Sequence, residues 1–193
     1  DEWGISHAEL NLSPFKLEIN HKRNYHNKFF KSHSYFQENL IKALGLKKDK
    51  KDINIIDLSA GTISDSLLIN TLGAKVSAYE RNPLLACLIS HELQQRPWAN
   101  FTFHFGQWQD EVADIFYFDP MYDEPNEKSA PKKSMQLLRK IVEVDQDAKE
   151  FAQSILDKKH KLVIKRPRRA DVLISGVHHE ILGKSTRYDV YHP

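Results

Sequence analysis

Ile53-Asn54-Ile55-Ile56-Asp57-Leu58-Ser59-Ala60-Gly61-Thr62 is the stretch that decides the fold. Residues 53–58 form a β-branched apolar run of the kind that fills a buried strand, and the run stops in a turn of small residues. Ser64 and Asp65 follow, then Leu67, Leu68, Ile69 and Leu72 at helical spacing, closed by Gly73. Moving outward toward the C-terminus, residues 75–79 read as a second strand followed by Glu80. Residues 83–95 read as a helix with Pro83 in its first turn and an apolar face at Leu84, Leu85, Leu88 and Ile89. Residues 101–105 and 115–118 have strand composition, and the second run stops at Asp119-Pro120. Residues 135–158 carry a helical pattern with a break around Asp145, and 162–164 give a fifth strand. Residues 179–182 and 186–191 flank Gly183-Lys184-Ser185 as an antiparallel hairpin. Alternating strands and helices predict an α/β fold with a mostly parallel sheet, covered by helices on both faces and finished by that hairpin.

Toward the N-terminus the pattern weakens. Residues 15–19 alternate like a strand, 35–44 read as an amphipathic helix, and 20–33 are polar, basic and aromatic. Residues 1–50 are too few for a core of their own and read as an extension or lid of the same domain, with 51–193 as its main body.

Composition sets the outer bounds. A chain of 193 residues fits one domain, and no apolar run approaches a membrane span. The start, Asp1-Glu2-Trp3, lacks the basic-then-apolar pattern of a secretory signal, so the expected location is the cytoplasm. Cys87, the one cysteine, has no internal disulfide partner and reads as a small core residue. The ten histidines show no ligand spacing, and His178 and His179 would face opposite ways on a strand, so no metal is expected. A net charge of +2 does not by itself signal nucleic acid, but basic residues gather at 21–23, at 47–51 and above all between Lys158 and Arg169.

The chemistry-bearing signals lie at strand ends. Asp57 to Asp65 form the loop after the first strand of the main body, and Glu80 ends the next strand 23 positions after Asp57. In doubly wound sheets ligands sit outside the carboxyl ends of strands, and an acid about 20 positions on accepts hydrogen bonds from ribose hydroxyls. Gly61 is the only glycine in the loop, which excludes a G-x-G-x-x-G pyrophosphate cradle. S-adenosylmethionine suits such a loop better, since its methionine carboxylate and ammonium can be held by backbone N–H groups and an acid such as Asp57 or Asp65. Phe118-Asp119-Pro120-Met121-Tyr122 resembles the Asp/Asn-Pro-Pro-Tyr/Phe motif of methyltransferases acting on planar nitrogens, with Met121 in place of the second proline. A conjugated amino group is a poor nucleophile. Acceptors that orient it and stabilise its developing positive charge speed in-line attack on a methyl group, and an aromatic ring such as Tyr122 stacks on the base. The proton is lost either to Asp119 or directly to water.

Taken in order, Glu80-Arg81-Asn82-Pro83, Asp119-Pro120-Met121-Tyr122, Lys128-Ser129-Ala130 with Lys132-Lys133, Val163-Ile164-Lys165-Arg166-Pro167 and Arg187-Tyr188-Asp189-Val190-Tyr191 resemble the bacterial small-subunit (16S) ribosomal RNA guanine-N2 methyltransferase J family. The resemblance runs from about residue 53 to 191. It implies a Rossmann-like class I methyltransferase with a seven-stranded sheet, using S-adenosylmethionine to methylate N2 of a guanine. It also implies cofactor contacts at Ser64, Asp65, Glu80, Arg81, Gly106, Gln107 and Asp119, which join Asp57, Ala60 and Gly61 from the reading of the loop, with Asp119, Pro120 and Tyr122 expected at the reacting amino group. Gly106 and Gln107 stand where small hydroxyl residues are expected, and the glycine-rich basic segment expected before the first motif is represented only by residues 28–34. Lys128, Lys132, Lys133, Lys165, Arg166 and Arg187 are the expected phosphate contacts to small-subunit RNA, naked or in the assembled subunit. Two rival readings keep the fold: a methyltransferase for a protein amide or other amino group, and a non-catalytic RNA-binding assembly factor.

Overall fold

The computed structural model describes residues 9–12, 15–18, 37–49, 52–95, 97–121, 142 and 145–193. Its main sheet grows from the stretch quoted above. Asn54–Asp57 (β3) pairs in parallel with Lys75–Glu80 (β4) on one side and with Ile115–Phe118 (β6) on the other. Phe101–Phe105 (β5) extends the β4 side, and Leu162–Pro167 (β7) extends the β6 side. His179–Leu182 (β8) and Thr186–Tyr191 (β9) form the antiparallel hairpin, with β9 inserted against β7. The seven strands lie in the order β5-β4-β3-β6-β7-β9-β8. From β3 the chain steps outward through β4 and β5, then returns to lay β6 on the opposite flank of β3. The direction of growth therefore reverses between β3 and β6, and a crevice opens there beyond the strand ends. Glu9–Leu12 (β1) and Phe15–Glu18 (β2) make a separate two-stranded antiparallel sheet.

Strand alternation builds two cores, one per face. Ile55, Tyr117, Val163 and Val190 join one core, with Asn39–Leu44 (α1), Ser64–Thr71 (α2) and Pro83–Gln95 (α3) contributing Ile41, Leu44, Leu67, Ile69, Leu85, Leu88 and Ile89. Their sequence neighbours Ile56, Phe116, Leu162, Ile164 and Tyr191 join the other, covered by Ala148, Ala152 and Ile155 of Ala148–Asp157 (α4). Each fully buried Leu or Ile contributes about 1.5–3 kcal/mol relative to exposure, so these faces hold the sheet far more strongly than any single polar contact.

Some expectations needed adjustment. On α3 the buried face is Leu85, Ala86, Leu88 and Ile89. Leu84 and Cys87 are exposed, because the helical period turns them away from the sheet, so Cys87 is no core residue. Among the described residues α1 starts at Asn39, later than the helix read at 35–44. Residues 20–33 and 35–36, and part of the 135–158 pattern, lie outside the described residues.

Charged residues also serve the fold. At the hairpin edge Arg187 lies buried on β9, donating to Asp189 through Nε at 2.6 Å and a terminal nitrogen at 3.0 Å, with Glu180 of β8 at 3.5 Å. Residues two apart on a strand share a face, which is why this pair forms. α1 is tied to the same edge: Asn39 donates its amide to the Leu182 carbonyl at 3.1 Å. Gly183 sits beneath that bond, where a Cβ would come within 2.9 Å of the Thr186 hydroxyl and 3.0 Å of its carbonyl oxygen.

Candidate active site

The crevice floor is the loop after β3. Leu58 N–H continues the ladder to the Tyr117 carbonyl, and Ala60 N–H bonds the Tyr79 carbonyl, so the turn is pinned to both neighbouring strands. Gly61 then takes a positive φ of 55°, and Ile63 takes 53° just before α2. A β-branched residue in the left-handed region costs about 1–3 kcal/mol, a strain offset here by complete burial of the Ile63 side chain.

Carboxylates surround this loop. Asp57 lies beneath it, almost fully buried, accepting the Ser59 N–H at 3.0 Å and the Ser66 hydroxyl. Burial raises its pKa to about 7, against the two hydrogen bonds that lower it. It shapes the loop from below rather than lining the open crevice. Glu80 accepts the Gly61 N–H at 2.8 Å and the Asn82 N–H at 2.7 Å, which ties the β3 loop to the start of α3. Burial pushes its carboxyl upward while those N–H bonds pull it down. A carboxylate has about four lone-pair sites, so two backbone bonds leave capacity for hydroxyl donors. Gly106 N–H bonds the Glu80 carbonyl at 2.8 Å; a Cβ on Gly106 would meet nothing within 4 Å, and Gln107 beside it is exposed.

On the β6 side, Asp119 donates its N–H to the Ser59 hydroxyl at 2.7 Å, which locks the acceptor loop against the β3 loop. Its carboxylate receives Lys165 Nζ of β7 at 2.8 Å, and the same ammonium reaches Asp65 at 3.0 Å. Asp65, in the first turn of α2, also accepts the Tyr117 hydroxyl at 2.7 Å. Pro120 is buried, and Met121 donates its N–H to Asp145 at 2.6 Å. A second proline would have no such N–H. With methionine there the donor needs a partner, and Asp145 supplies it. Arg81 holds Asp145 in turn and also binds Asp147 at 2.9 Å, so the segment after β4 is braced against the entry to α4.

The structure therefore brings together Asp57, Ala60, Gly61, Ser64, Asp65, Glu80, Asp119, Pro120 and Lys165 at one sheet edge. Arg81 and Gly106 border that group. Tyr122, Lys128, Lys132 and Lys133 lie outside the described residues. Lys165 and Arg166 project to opposite faces, as consecutive strand residues must, and Arg166 donates to the Asp171 carbonyl at 3.1 Å. Arg187 is turned into the β9 pair, away from the crevice. Sequence reasoning missed Ser59, Ser66, Tyr117 and Asp145 and gave Lys165 a different partner. The one signal available for Tyr117 was a hydroxyl inside an otherwise apolar strand.

A crevice at the sheet's switch point, a loop with one glycine, an acid ending β4 and an Asp-Pro turn after β6 define a class I S-adenosylmethionine-dependent methyltransferase. The donor set fits that cofactor: Glu80 and Asp65 offer acceptors to hydroxyls and an ammonium, and the space over Gly106 is open. Residues 7–193 match the family described as "Putative SAM-dependent methyltransferase". Ribosomal RNA small subunit methyltransferase J of Bdellovibrio bacteriovorus is 33% identical over 91% of this chain and 73% of its own length. The protein of the same name from Hahella chejuensis is 35% identical over 80% of this chain, which spans 64% of that relative's own length. A crystal structure of a SAM-dependent methyltransferase from Neisseria gonorrhoeae superposes with a TM-score of 0.57 at 27% identity, covering 82% of this chain and 72% of that one. The chain belongs to the ribosomal RNA small subunit methyltransferase J family.

Among the described residues no cluster of His, Cys, Asp and Glu is arranged to hold a metal ion, and no helix is long and apolar enough to cross a membrane.

Proposed function

We propose that this chain transfers a methyl group from S-adenosylmethionine to N2 of a guanine in small-subunit ribosomal RNA, in the cytoplasm. The observation that carries the reading is Asp119 at the switch-point crevice, its N–H bonded to the Ser59 hydroxyl of the loop that Glu80 holds through Gly61 and its carboxylate bonded to Lys165. The names of the relatives support RNA as substrate.

S-adenosylmethionine bound there supplies a methyl group on a sulfonium. Glu80 would hold the ribose hydroxyls, Asp65 and the 59–61 loop the methionine end, and Gly106 and Gln107 the adenine side. Asp57 acts one layer below by fixing the loop through Ser59 and Ser66. Asp119 accepts a hydrogen bond from the guanine amino group, Pro120 fixes the turn that presents it, and Tyr122 stacks on the base. Lys128, Lys132, Lys133 and Arg166 are proposed to contact phosphates, in naked RNA or the assembled subunit, which makes binding salt-dependent.

Incubating the protein with tritiated cofactor and either naked 16S RNA or small subunits from cells lacking this chain, followed by nucleoside analysis, tests the reading. Label in N2-methylguanosine that Asp119→Ala abolishes supports it. No RNA label with cofactor binding intact by calorimetry would remove RNA as the substrate and point to a protein or small-molecule amino group.

A further inference from the structure

The centre of the site holds an arrangement that binding alone does not require. One ammonium, Lys165 Nζ, bridges two carboxylates that belong to different elements: Asp119 after β6 at 2.8 Å and Asp65 of α2 at 3.0 Å. The Lys165 side chain is only 21% exposed, and it rises from a strand between β6 and β9. A lysine serving RNA phosphates would extend its ammonium into solvent. This one turns it inward, onto one oxygen of the proposed acceptor, Asp119 Oδ2.

We propose that Lys165 is a positioning residue which holds Asp119 as an ionised acceptor through Oδ2 and leaves Oδ1 for the target amino group. The proton released on methylation then goes to water. This rests on the assignment of Asp119 to the reacting nitrogen. In the transfer, the nitrogen lone pair forms the new N–C bond, the C–S pair returns to sulfur, and one N–H proton leaves the cationic nitrogen. An acceptor paired with an ammonium is a weaker base than the same carboxylate unpaired and a strong electrostatic partner for the charge growing on nitrogen.

The groups facing Asp119 make Lys165 necessary. Asp65 of α2 and Asp145 ahead of α4 add negative charge, with Asp57 of β3 behind; Tyr117 of β6 and Tyr188 of β9 complete the surround. Burial raises the Asp119 carboxyl, Lys165 lowers it most among the opposing influences, and Asp65 raises it again. Without the ammonium, the Asp119 carboxylate faces Asp65 with its main stabilising charge removed in a partly desolvated pocket, and it holds its proton to higher pH. A protonated Asp119 is a poorer acceptor.

The test compares wild type, Lys165→Met, Lys165→Arg and Asp119→Asn. Steady-state methylation is followed from about pH 5 to 9, a window above the usual carboxylate range, alongside a carbon-13 carboxylate titration of Asp119 that needs no RNA. The expected result for Lys165→Met is a kcat about 10–100-fold lower at neutral pH. Its acidic limb and its Asp119 titration should both move upward by about one pH unit or more. KM for RNA should stay within about twofold, and Lys165→Arg should restore most of the rate. If Lys165→Met does not fold, Lys165→Gln carries the same measurements. An unmoved Asp119 titration, or an unchanged pH profile with weaker RNA binding and a shallower salt dependence, overturns the proposal and makes Lys165 a phosphate contact. Wild-type rates from Asp119→Asn would instead sink the assignment of Asp119, whatever Lys165 does.

Discussion

Two clusters of charge sit at the carboxyl end of β7 and at the hairpin beside it, built from the same residue types to different ends. At the hairpin, Arg187 grips Asp189 with two bonds inside the sheet, and Asp189 is completely buried. At the crevice, Lys165 touches Asp119 and Asp65 through single bonds, and both carboxylates remain about one-third exposed. The hairpin cluster is closed: Arg187 meets Asp189 through two bonds inside the sheet, with Glu180 at 3.5 Å on its outer side. The crevice cluster is open, with its two carboxylates still partly exposed at the sheet edge. Charged groups enclosed within a sheet hold a fold together; charged groups left half-open at a sheet edge are available to a ligand.

The contrast can be broken from either side. Arg187→Ala should cost about 3–5 kcal/mol of stability, because it leaves Asp189 buried and unpaired, while the activity of the molecules that remain folded stays near wild type. Denaturant unfolding beside a methylation assay checks both halves. Asp119→Ala should do the reverse, lowering kcat about 100- to 1000-fold with little change in melting temperature; a large melting shift would make the crevice a structural cluster after all.

A pH-dependent effect of similar size tests the layer beneath the crevice. Asp57 has a folded-state pKa of about 7 against the ordinary 3.8, so the fold favours its protonated form. The stability it contributes is present below about pH 4 and is lost as pH rises toward 7, at about 1.4 kcal/mol for each pH unit crossed. The melting temperature of Asp57→Asn relative to wild type should therefore climb across that window, and a flat difference would contradict the burial argument. Smallest of all, Tyr117→Phe removes the hydroxyl that binds Asp65 and should cost about 1 kcal/mol, readable by the same unfolding experiment.

Backbone features were the legible part of the sequence. The β-branched run, the small-residue turn, the acid ending the next strand and the hairpin around Gly183 all appear where period and turn chemistry put them, because each depends on neighbours in the chain. Side-chain partners were less legible. Lys165 and Arg166 read together as a phosphate grip, yet consecutive strand residues face apart, and only the tertiary approach of α2 and the β6 loop determines what Lys165 meets. Arg187 and Asp189, by contrast, share a strand face at a spacing of two, so their pairing was readable and went unread. Asp145 could not be found from sequence: its importance comes from the N–H that Met121 carries in place of a second proline, 24 residues away.

The bond from Asn39 to the Leu182 carbonyl joins residues 143 positions apart. During synthesis at about 5–20 residues per second, α1 therefore emerges on the order of ten seconds before the hairpin it docks against. In that interval Leu40, Ile41 and Leu44 lack the β8–β9 surface on which they finally pack, and β7 lacks its antiparallel neighbour. The sheet can close only when the last strands arrive. A truncated nascent chain should thus remain a client of chaperones until the hairpin has cleared the exit tunnel.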